Sequence, residues 1–152
     1  MMENAVNIRY LQQADHEAWL ELFRQYIIFY DVDPDTIEFD IGWQRMMDNN
    51  FPIFAVGAFI NNELSGIAHF VIHASTWTSK PYFYMEDLFT AEKSRKLGIG
   101  GKLIDFIHSV AQNNGGERLY WVTKESNKAA QALYDQKAQK SDFIQYRIKI
   151  EA

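Results

Sequence analysis

The sequence of 152 residues contains no cysteine and only three prolines. Without cysteine the chain cannot form disulfides, use a thiolate nucleophile or hold zinc through sulfur. Its 47% of apolar residues and its eight glycines exclude a disordered or collagen-like chain. Long apolar runs are missing too, because the stretch from Phe51 to Ile60 has ten residues and a membrane-spanning helix needs about 18.

The start of the chain, Met1 to Ala5, has no basic segment followed by an apolar one, which argues against a secretory signal. We therefore expect a cytoplasmic protein that does not associate with membranes. The length suits one domain, and we predict a single domain over residues 1–152. Its 11 Phe, 8 Tyr and 4 Trp indicate stability through aromatic packing.

The charge is unevenly distributed around a net value of −5. Residues 1–50 hold ten acidic and three basic side chains, whereas residues 51–152 hold ten acidic and twelve basic ones. This balance argues against nonspecific nucleic-acid binding, which requires a basic surface. An acidic first third can attract a cation, although simple solvation of a surface explains the same pattern.

Apolar periodicity divides the chain into short strands and amphipathic helices. Strands are predicted at residues 6–10, 54–60, 64–74, 82–90, 119–122 and 143–150. Helices are predicted near residues 15–31, 37–49, 103–113 and from 127 onward. The order β-α-α-β-β-β-α-β-α-β predicts an α/β fold in which a mixed sheet carries helices on both faces.

A glycine-rich turn, Arg95-Lys96-Leu97-Gly98-Ile99-Gly100-Gly101-Lys102, connects the strand at 82–90 to a helix. Unpaired N–H groups at a helix start bind anions, and glycine lets the ligand approach them. A Walker loop needs Gly at 96 and Ser or Thr at 103, and the dinucleotide fingerprint needs Gly or Ala at 103. Lys96 and Leu103 argue against both motifs. A plain strand-to-helix turn is the alternative interpretation.

With its flanks, the turn resembles the acetyl-CoA site of the GNAT superfamily of N-acetyltransferases. The family motif Arg/Gln-x-x-Gly-x-Gly/Ala matches Arg95, Gly98 and Gly100. The preceding strand, Tyr84-Met85-Glu86-Asp87-Leu88-Phe89, is similar to the Tyr-x-Glu-Asp-x-Phe strand of the polyamine acetyltransferase branch. A later motif with Asn127, Ala130 and Tyr134 is similar to polyamine and histone acetyltransferases.

The resemblance implies a GNAT-like fold, with a central twisted mixed sheet splayed between strands 4 and 5. It also implies an acetyl-CoA-dependent enzyme without a metal, in which an amine attacks the thioester directly. We further expect a homodimer. One departure lies after the last helix, where the family usually has Gly-Phe and this chain reads Lys137-Ala138-Gln139-Lys140-Ser141-Asp142-Phe143. The geometry of the closing strands, and any exchange of a strand between subunits, therefore stays open.

The resemblance implies a role for each motif residue. The turn would bind the pyrophosphate of acetyl-CoA through backbone N–H groups and charge, using Arg95, Lys96, Leu97, Gly98, Ile99 and Gly100. Leu88 and Phe89 would pair with pantetheine, Asn127 would hold the pantetheine arm, and Tyr134 would protonate the departing thiolate. Glu86 matches the position of the base, which would act directly or through water. The structural alternatives are a helix cap for Asn127, a core aromatic for Tyr134 and a surface carboxylate for Glu86.

The resemblance places the loop between the first two helices at the acceptor cleft. We therefore predict acceptor contacts for Tyr30, Asp31, Asp33 and, from the strand, Asp87. Carboxylates there favour a cationic amine, namely a polyamine, a lysine-like amino acid or a basic protein tail. The alternatives are a neutral or antibiotic amine, a CoA-sensing domain without turnover, and a domain whose glycine turn is incidental.

Two histidines, His69 and His73, lie four residues apart on one predicted strand. That spacing is about 13 Å along a strand, which is too far for both rings to bind one metal ion. We interpret them as structural or acceptor-site residues and predict no metal site.

Overall fold

The structure is a computed structural model that describes residues 5–152. These residues divide into two compact units, one ending at Val122 and one running from Thr123 to Ala152. The first unit contains β1 (Val6–Tyr10), α1 (His16–Phe29), α2 (Phe39–Met46), β2 (Ile53–Ile60), β3 (Glu63–His73), β4 (Tyr82–Thr90), α3 (Ile99–Asn113) and β5 (Arg118–Tyr120). The second unit contains α4 (Lys128–Lys137). No helix among residues 5–152 combines the length and apolar character needed to cross a membrane.

The sheet has the strand order β1-β2-β3-β4-β5. The first four strands pair antiparallel, and β5 pairs parallel to β4. The predicted mixed sheet is therefore confirmed. β5 pairs with β4 only from Tyr82 to Tyr84. Among the described strands, none pairs with residues 85–90 of β4 on the edge that faces β5. The predicted opening between the fourth and fifth strands lies at this point.

Helices cover both faces of the sheet, as predicted. On one face Trp19 of α1 and Trp43 of α2 pack with Ile67 of β3 in a buried cluster. On the other face α3 approaches Gly66, where an added Cβ would lie 2.7 Å from the Ile99 side chain. Glycine at this position lets the first turn of α3 contact the sheet, and that contact fixes where the glycine-rich turn lies.

A β-bulge changes which residues of β4 share a face. His69 pairs with Asp87 and Phe70 pairs with Met85, so Glu86 has no partner in the register. Strict alternation along β4 would place Asp87 on the face opposite Tyr84, and the structure does not have this arrangement. The extra residue shifts the alternation by one, which places Asp87 on the α1 face together with Tyr84.

The strand predicted at residues 143–150 is also wrong, since the structure assigns no strand there. Ile144, Tyr146, Ile148 and Ile150 alternate as a half-buried strand would, yet 76–89% of each is exposed. A strand needs a neighbour to receive its backbone hydrogen bonds. Among the described residues this segment has no such neighbour.

Candidate active site

The glycine-rich turn begins α3 with an open concave backbone. Gly98 is the N-cap residue and has φ +75°, in the left-handed region that favours glycine. The first helical hydrogen bond joins the Lys102 N–H to the Gly98 carbonyl, so the N–H groups before Lys102 have no partner within the helix. A Cβ at Gly98 would meet nothing within 4 Å. The turn therefore offers N–H groups to a ligand on its open side.

The positive side chains around the turn differ in their contacts. Arg95 donates from Nε to the Thr90 carbonyl at 3.4 Å, and its guanidinium carbon lies 5.7 Å from the ring centroid of Phe29 and 5.8 Å from that of Phe89. Lys96 and Leu97 are exposed, and Ile99 is buried. Arg95 and Lys96 thus add positive charge beside the open turn, while Ile99 anchors it.

Asp87 is held by a buried chain of hydrogen bonds that crosses from α1 to β4. Trp19 Nε1 donates to His69 Nε2 at 2.9 Å, so Nε2 carries no proton. The ring proton is on Nδ1, which lies 2.9 Å from Asp87 Oδ2 and donates to it. Trp19 is 1% exposed and His69 is 3% exposed. A neutral imidazole therefore orients the Asp87 carboxylate and leaves its negative charge uncompensated.

Glu86 lies next to this carboxylate, at the bulge, where the residue as a whole is exposed but its carboxyl is partly buried. Partial burial of its carboxyl raises the pKa of Glu86, and the neighbouring Asp87 charge raises it further. A carboxylate with a raised pKa holds a proton more readily, which suits a general base. The bulge brings two carboxylates together at the strand where the sheet opens.

The acidic loop between α1 and α2 is organised by one of its own carboxylates. Asp33 Oδ1 accepts from the Asp35 N–H at 2.9 Å and caps a short 3-10 helix, Pro34–Thr36. Asp35 lies 3.9 Å from Arg24. Asp31 has φ +59° and is exposed, and Tyr30 is partly buried. The structure therefore gives Asp33 a capping role, and contacts of this loop with an acceptor stay a prediction.

The second unit contains the other motif. Asn127 is the N-cap of α4, and its Oδ1 accepts from the Ala130 N–H at 3.2 Å. This bond confirms the capping role of Asn127 and uses its carbonyl oxygen, so any ligand contact would use the amide nitrogen. Tyr134 lies two turns along α4 and is partly buried. Its predicted role as an acid stays a prediction.

The two strand histidines have separate partners. His73 Nε2 lies 2.7 Å from the Tyr120 hydroxyl, whereas His69 belongs to the chain that ends at Asp87. Within residues 5–152, no group of three or more His, Asp or Glu side chains is arranged to hold a metal ion.

The sequence matches the model of the acetyltransferase (GNAT) family over residues 11–138. The chain belongs to this family. The prediction of an enzyme of the acetyltransferase class is therefore confirmed. The match runs from the end of β1 to the end of α4, so the GNAT similarity includes both described units.

Individual GNAT relatives agree with this assignment. The D-amino-acid N-acetyltransferase HPA3 of Saccharomyces cerevisiae is 30% identical over 97% of this chain and 92% of its own. The thialysine N-epsilon-acetyltransferase of Caenorhabditis elegans is 37% identical over 51% of this chain and 48% of its own. The solved structure of the aminoglycoside N-acetyltransferase AAC(6')-Iy with CoA aligns with a TM-score of 0.81 at 18% identity, covering 97% of each chain. That structural likeness shows a shared GNAT fold.

Sequence reasoning missed Trp19 as a site residue and left His69 without a defined role. Both residues occupy ordinary apolar positions of a helix and a strand, so their spacing predicts core packing. The bulge at Glu86 has no local signal either, because the pattern of apolar and polar residues along β4 does not change at Glu86. Only the pairing of β3 with β4 shows that His69 and Asp87 face each other.

Proposed function

We propose that this GNAT chain transfers the acetyl group of acetyl-CoA to the primary amine of a cationic acceptor. The observation that carries the proposal is the open left-handed turn at Gly98, which follows a strand with two adjacent carboxylates. The turn suits a pyrophosphate, and the carboxylates suit an ammonium group and its proton. No nucleophilic side chain is required, which agrees with the absence of cysteine.

The cofactor would lie along elements whose hydrogen-bonding groups remain available. The N–H groups of Gly98, Ile99 and Gly100 would bind the pyrophosphate, and the charge of Arg95 and Lys96 would support it. The edge of β4 at Leu88 and Phe89 has no β5 partner, so pantetheine can pair there as an added strand. From the second motif, Asn127 would hold the pantetheine arm.

The reaction needs three proton transfers and one attack. The acceptor ammonium gives one proton to Glu86, through water, and the free amine then attacks the thioester carbonyl. The C–S bond breaks as the amide forms, and Tyr134 protonates the thiolate of CoA. The proton that the nitrogen loses on becoming an amide restores the Tyr134 phenol. A phenol with an ordinary pKa near 10 is protonated at neutral pH and can supply that proton.

The acceptor class follows from charge. The Asp87 carboxylate is oriented by a neutral imidazole, so it can attract an ammonium group. Tyr30, Asp31 and Asp33 would contribute further from the acidic loop. A polyamine, a lysine-like amino acid and a basic protein tail all fit this description, and the thialysine acetyltransferase acts, by its name, on a lysine-like amine.

The assembly is part of the same proposal. We propose a single acetyltransferase domain, since the family match spans both units, and a homodimer in the cytoplasm. The exposed apolar side chains at residues 143–150 support the homodimer, because a second copy can cover them. Sedimentation would show one species of twice the chain mass.

The proposal is tested by incubating the chain with acetyl-CoA and a panel of amines while measuring release of free CoA thiol. Cationic amines should turn over faster than neutral ones, and the difference should shrink as salt screens the carboxylates. A preference for neutral amines, or for aminoglycoside antibiotics over polyamines and lysine-like amines, would instead favour the alternative of a neutral or antibiotic amine. Binding of acetyl-CoA without turnover of any amine would favour a CoA-sensing domain.

Replacing Gly98 with Val should weaken acetyl-CoA binding by about tenfold or more, measured by calorimetry. The side chain would fill the open side of the turn and would strain a residue at φ +75°.

Arg95→Ala should also weaken acetyl-CoA binding, and its effect should decrease in high salt because the substitution removes a charge. Gly42→Ala is the control, since its Cβ meets nothing within 4 Å and its helix lies elsewhere. Normal binding in both turn variants would contradict the cofactor site.

Replacing Glu86 with Gln should depress kcat/KM most at low pH and least at high pH, where the amine deprotonates without help. The raised pKa means that the folded chain binds this proton more tightly than the unfolded chain does. Ionisation of Glu86 therefore costs stability as pH rises through its pKa, and the Gln variant should melt no lower than the parent at neutral pH. An unchanged pH profile would exclude Glu86 as the base.

A further inference from the structure

The α1 face of the sheet continues beyond Asp87 as a half-buried aromatic surface. We call this surface the aromatic floor, and it consists of His73, Tyr82, Tyr84 and Tyr120. The rings of His73 and Tyr82 lie 5.4 Å apart, and those of Tyr84 and Tyr120 lie 4.9 Å apart. The His73 to Tyr120 hydrogen bond joins the two pairs.

The aromatic floor and Asp87 lie on the same face. His69 and His73 are separated by four residues on β3 and so point the same way. His69 contacts Asp87, and His73 lies opposite Tyr82. A molecule bound at the Asp87 carboxylate can therefore extend along β4 over the tyrosines without crossing the sheet.

Arg118 lies over the far part of this floor. Its guanidinium carbon is 4.1 Å from the ring centroid of Tyr82 and 4.8 Å from that of Tyr120. Arg118 is exposed, and no carboxylate of residues 5–152 lies within 4 Å of it. The rings fix the position of the guanidinium, and its N–H groups suit a planar carboxylate.

We infer that Arg118 binds the carboxylate of an amino-acid acceptor whose side-chain amine lies at Glu86 and Asp87. The inference rests on the proposed N-acetyltransferase function and narrows its acceptor to lysine-like amino acids. The far carboxylate would accept from the guanidinium, the methylene chain would cross the aromatic floor, and the amine would meet the base.

Spacing along β4 supports this acceptor length. Arg118 lies opposite Tyr82, which pairs with His73, whereas Asp87 pairs with His69 four residues along β3. The guanidinium and the Asp87 carboxylate are therefore roughly 13 Å apart along the strands. Two hydrogen bonds of about 3 Å each leave roughly 7 Å between the amine and the carboxylate of the acceptor. The side-chain amine of an extended lysine lies about 7 Å from its carboxylate, whereas an α-amine lies only about 2.5 Å from it.

Charge separates this acceptor from a diamine of equal length. Cadaverine is lysine without the carboxylate, and its distal ammonium would face the positive Arg118 instead of pairing with it. Repulsion between like charges should weaken its binding. The same chain therefore attracts one end of either molecule at Asp87 and discriminates between them at Arg118.

The test compares lysine with cadaverine in steady-state assays of the full chain with acetyl-CoA, with the acetylated nitrogen identified by NMR. Lysine should be preferred in kcat/KM by about tenfold or more and acetylated at its side-chain amine. Arg118→Gln should lower kcat/KM for lysine by about 10- to 100-fold, mainly through KM, because it removes a charged hydrogen bond. Turnover of cadaverine should stay equal or rise, which shows that the variant is folded.

Two further variants define the effect. Arg118→Lys should retain part of the preference for lysine, since it keeps the charge. Arg45→Gln is the matched control, because Arg45 also packs over a ring, that of Phe51 at 5.3 Å, and should not alter the preference. Equal kcat/KM for lysine and cadaverine in the parent chain, or an equal loss for both in Arg118→Gln, would overturn this inference alone. A chain that acetylates no amine would overturn the proposed function and this inference with it.

Discussion

Replacing Tyr134 with Phe should lower kcat by about 100-fold or more while leaving acetyl-CoA affinity nearly unchanged. The substitution removes one hydroxyl and keeps the partly buried ring of residue 134. Donation of a proton to a leaving group contributes about that factor in enzymes. An interaction made only in the transition state affects kcat and kcat/KM equally, so both should fall together. Single-turnover kinetics measures the rate of acetyl transfer, and calorimetry measures the affinity for acetyl-CoA separately.

The matched control is Tyr146→Phe, which removes the same hydroxyl from a tyrosine that is 87% exposed. Its kcat should equal that of the parent chain. An acetyl thioester of a thiol with a lower pKa than that of CoA gives a second check, because such a leaving group needs less help from an acid. Tyr134→Phe should therefore lose less activity with an activated acetyl thioester. Near-normal turnover of acetyl-CoA in the variant would exclude Tyr134 as the acid.

The fold could be predicted from local sequence where each element carries its own signal. The apolar patterns predict β1, the β2–β3 hairpin and β4 closely. The turn after β4 is marked by its glycines, because glycine adopts the left-handed conformation most readily. Residues 143–150 show the limit of this approach. Their alternation is typical of a strand, but a strand exists only with a partner edge, and local sequence says nothing about the partner.

The residues of the candidate site also differ in whether local sequence could predict them. The glycine turn, Glu86 and Tyr134 could be identified because the chemistry of each is tied to a short motif. The chain from Trp19 through His69 to Asp87 could not, since its members are separated by 50 and 18 residues and meet only through strand pairing. The bulge at Glu86 then decides which carboxylate faces α1, and neither residue type nor spacing indicates it.

Replacing Trp19 with Ala should destabilise the fold by about 3–5 kcal/mol. The side chain is 1% exposed and packs against Trp43 with ring centroids 4.7 Å apart. Removing a buried tryptophan leaves a cavity, and costs of this size are typical. For a chain of this length each kcal/mol lowers the melting temperature by roughly 2–4 °C, so we expect a decrease of about 10 °C. Trp77→Ala is the control, since Trp77 is 89% exposed and should melt with the parent.

Trp19→Phe separates the packing of the Trp19 ring from its hydrogen bond to His69. It also tests whether the buried chain of hydrogen bonds affects binding of the acceptor. Phe fills most of the same volume but cannot donate to His69 Nε2, so the ring is held only by the bond from its Nδ1–H to Asp87. Nitrogen NMR should show the His69 proton on Nδ1 in both proteins and a shifted Nε2 resonance in the variant, because the indole no longer donates to Nε2. KM for a cationic acceptor should rise while acetyl-CoA affinity stays unchanged, because only the orientation of the Asp87 carboxylate is lost. If the Nε2 resonance shifts and KM for the acceptor does not, the buried chain serves stability alone and Asp87 does not contact the acceptor.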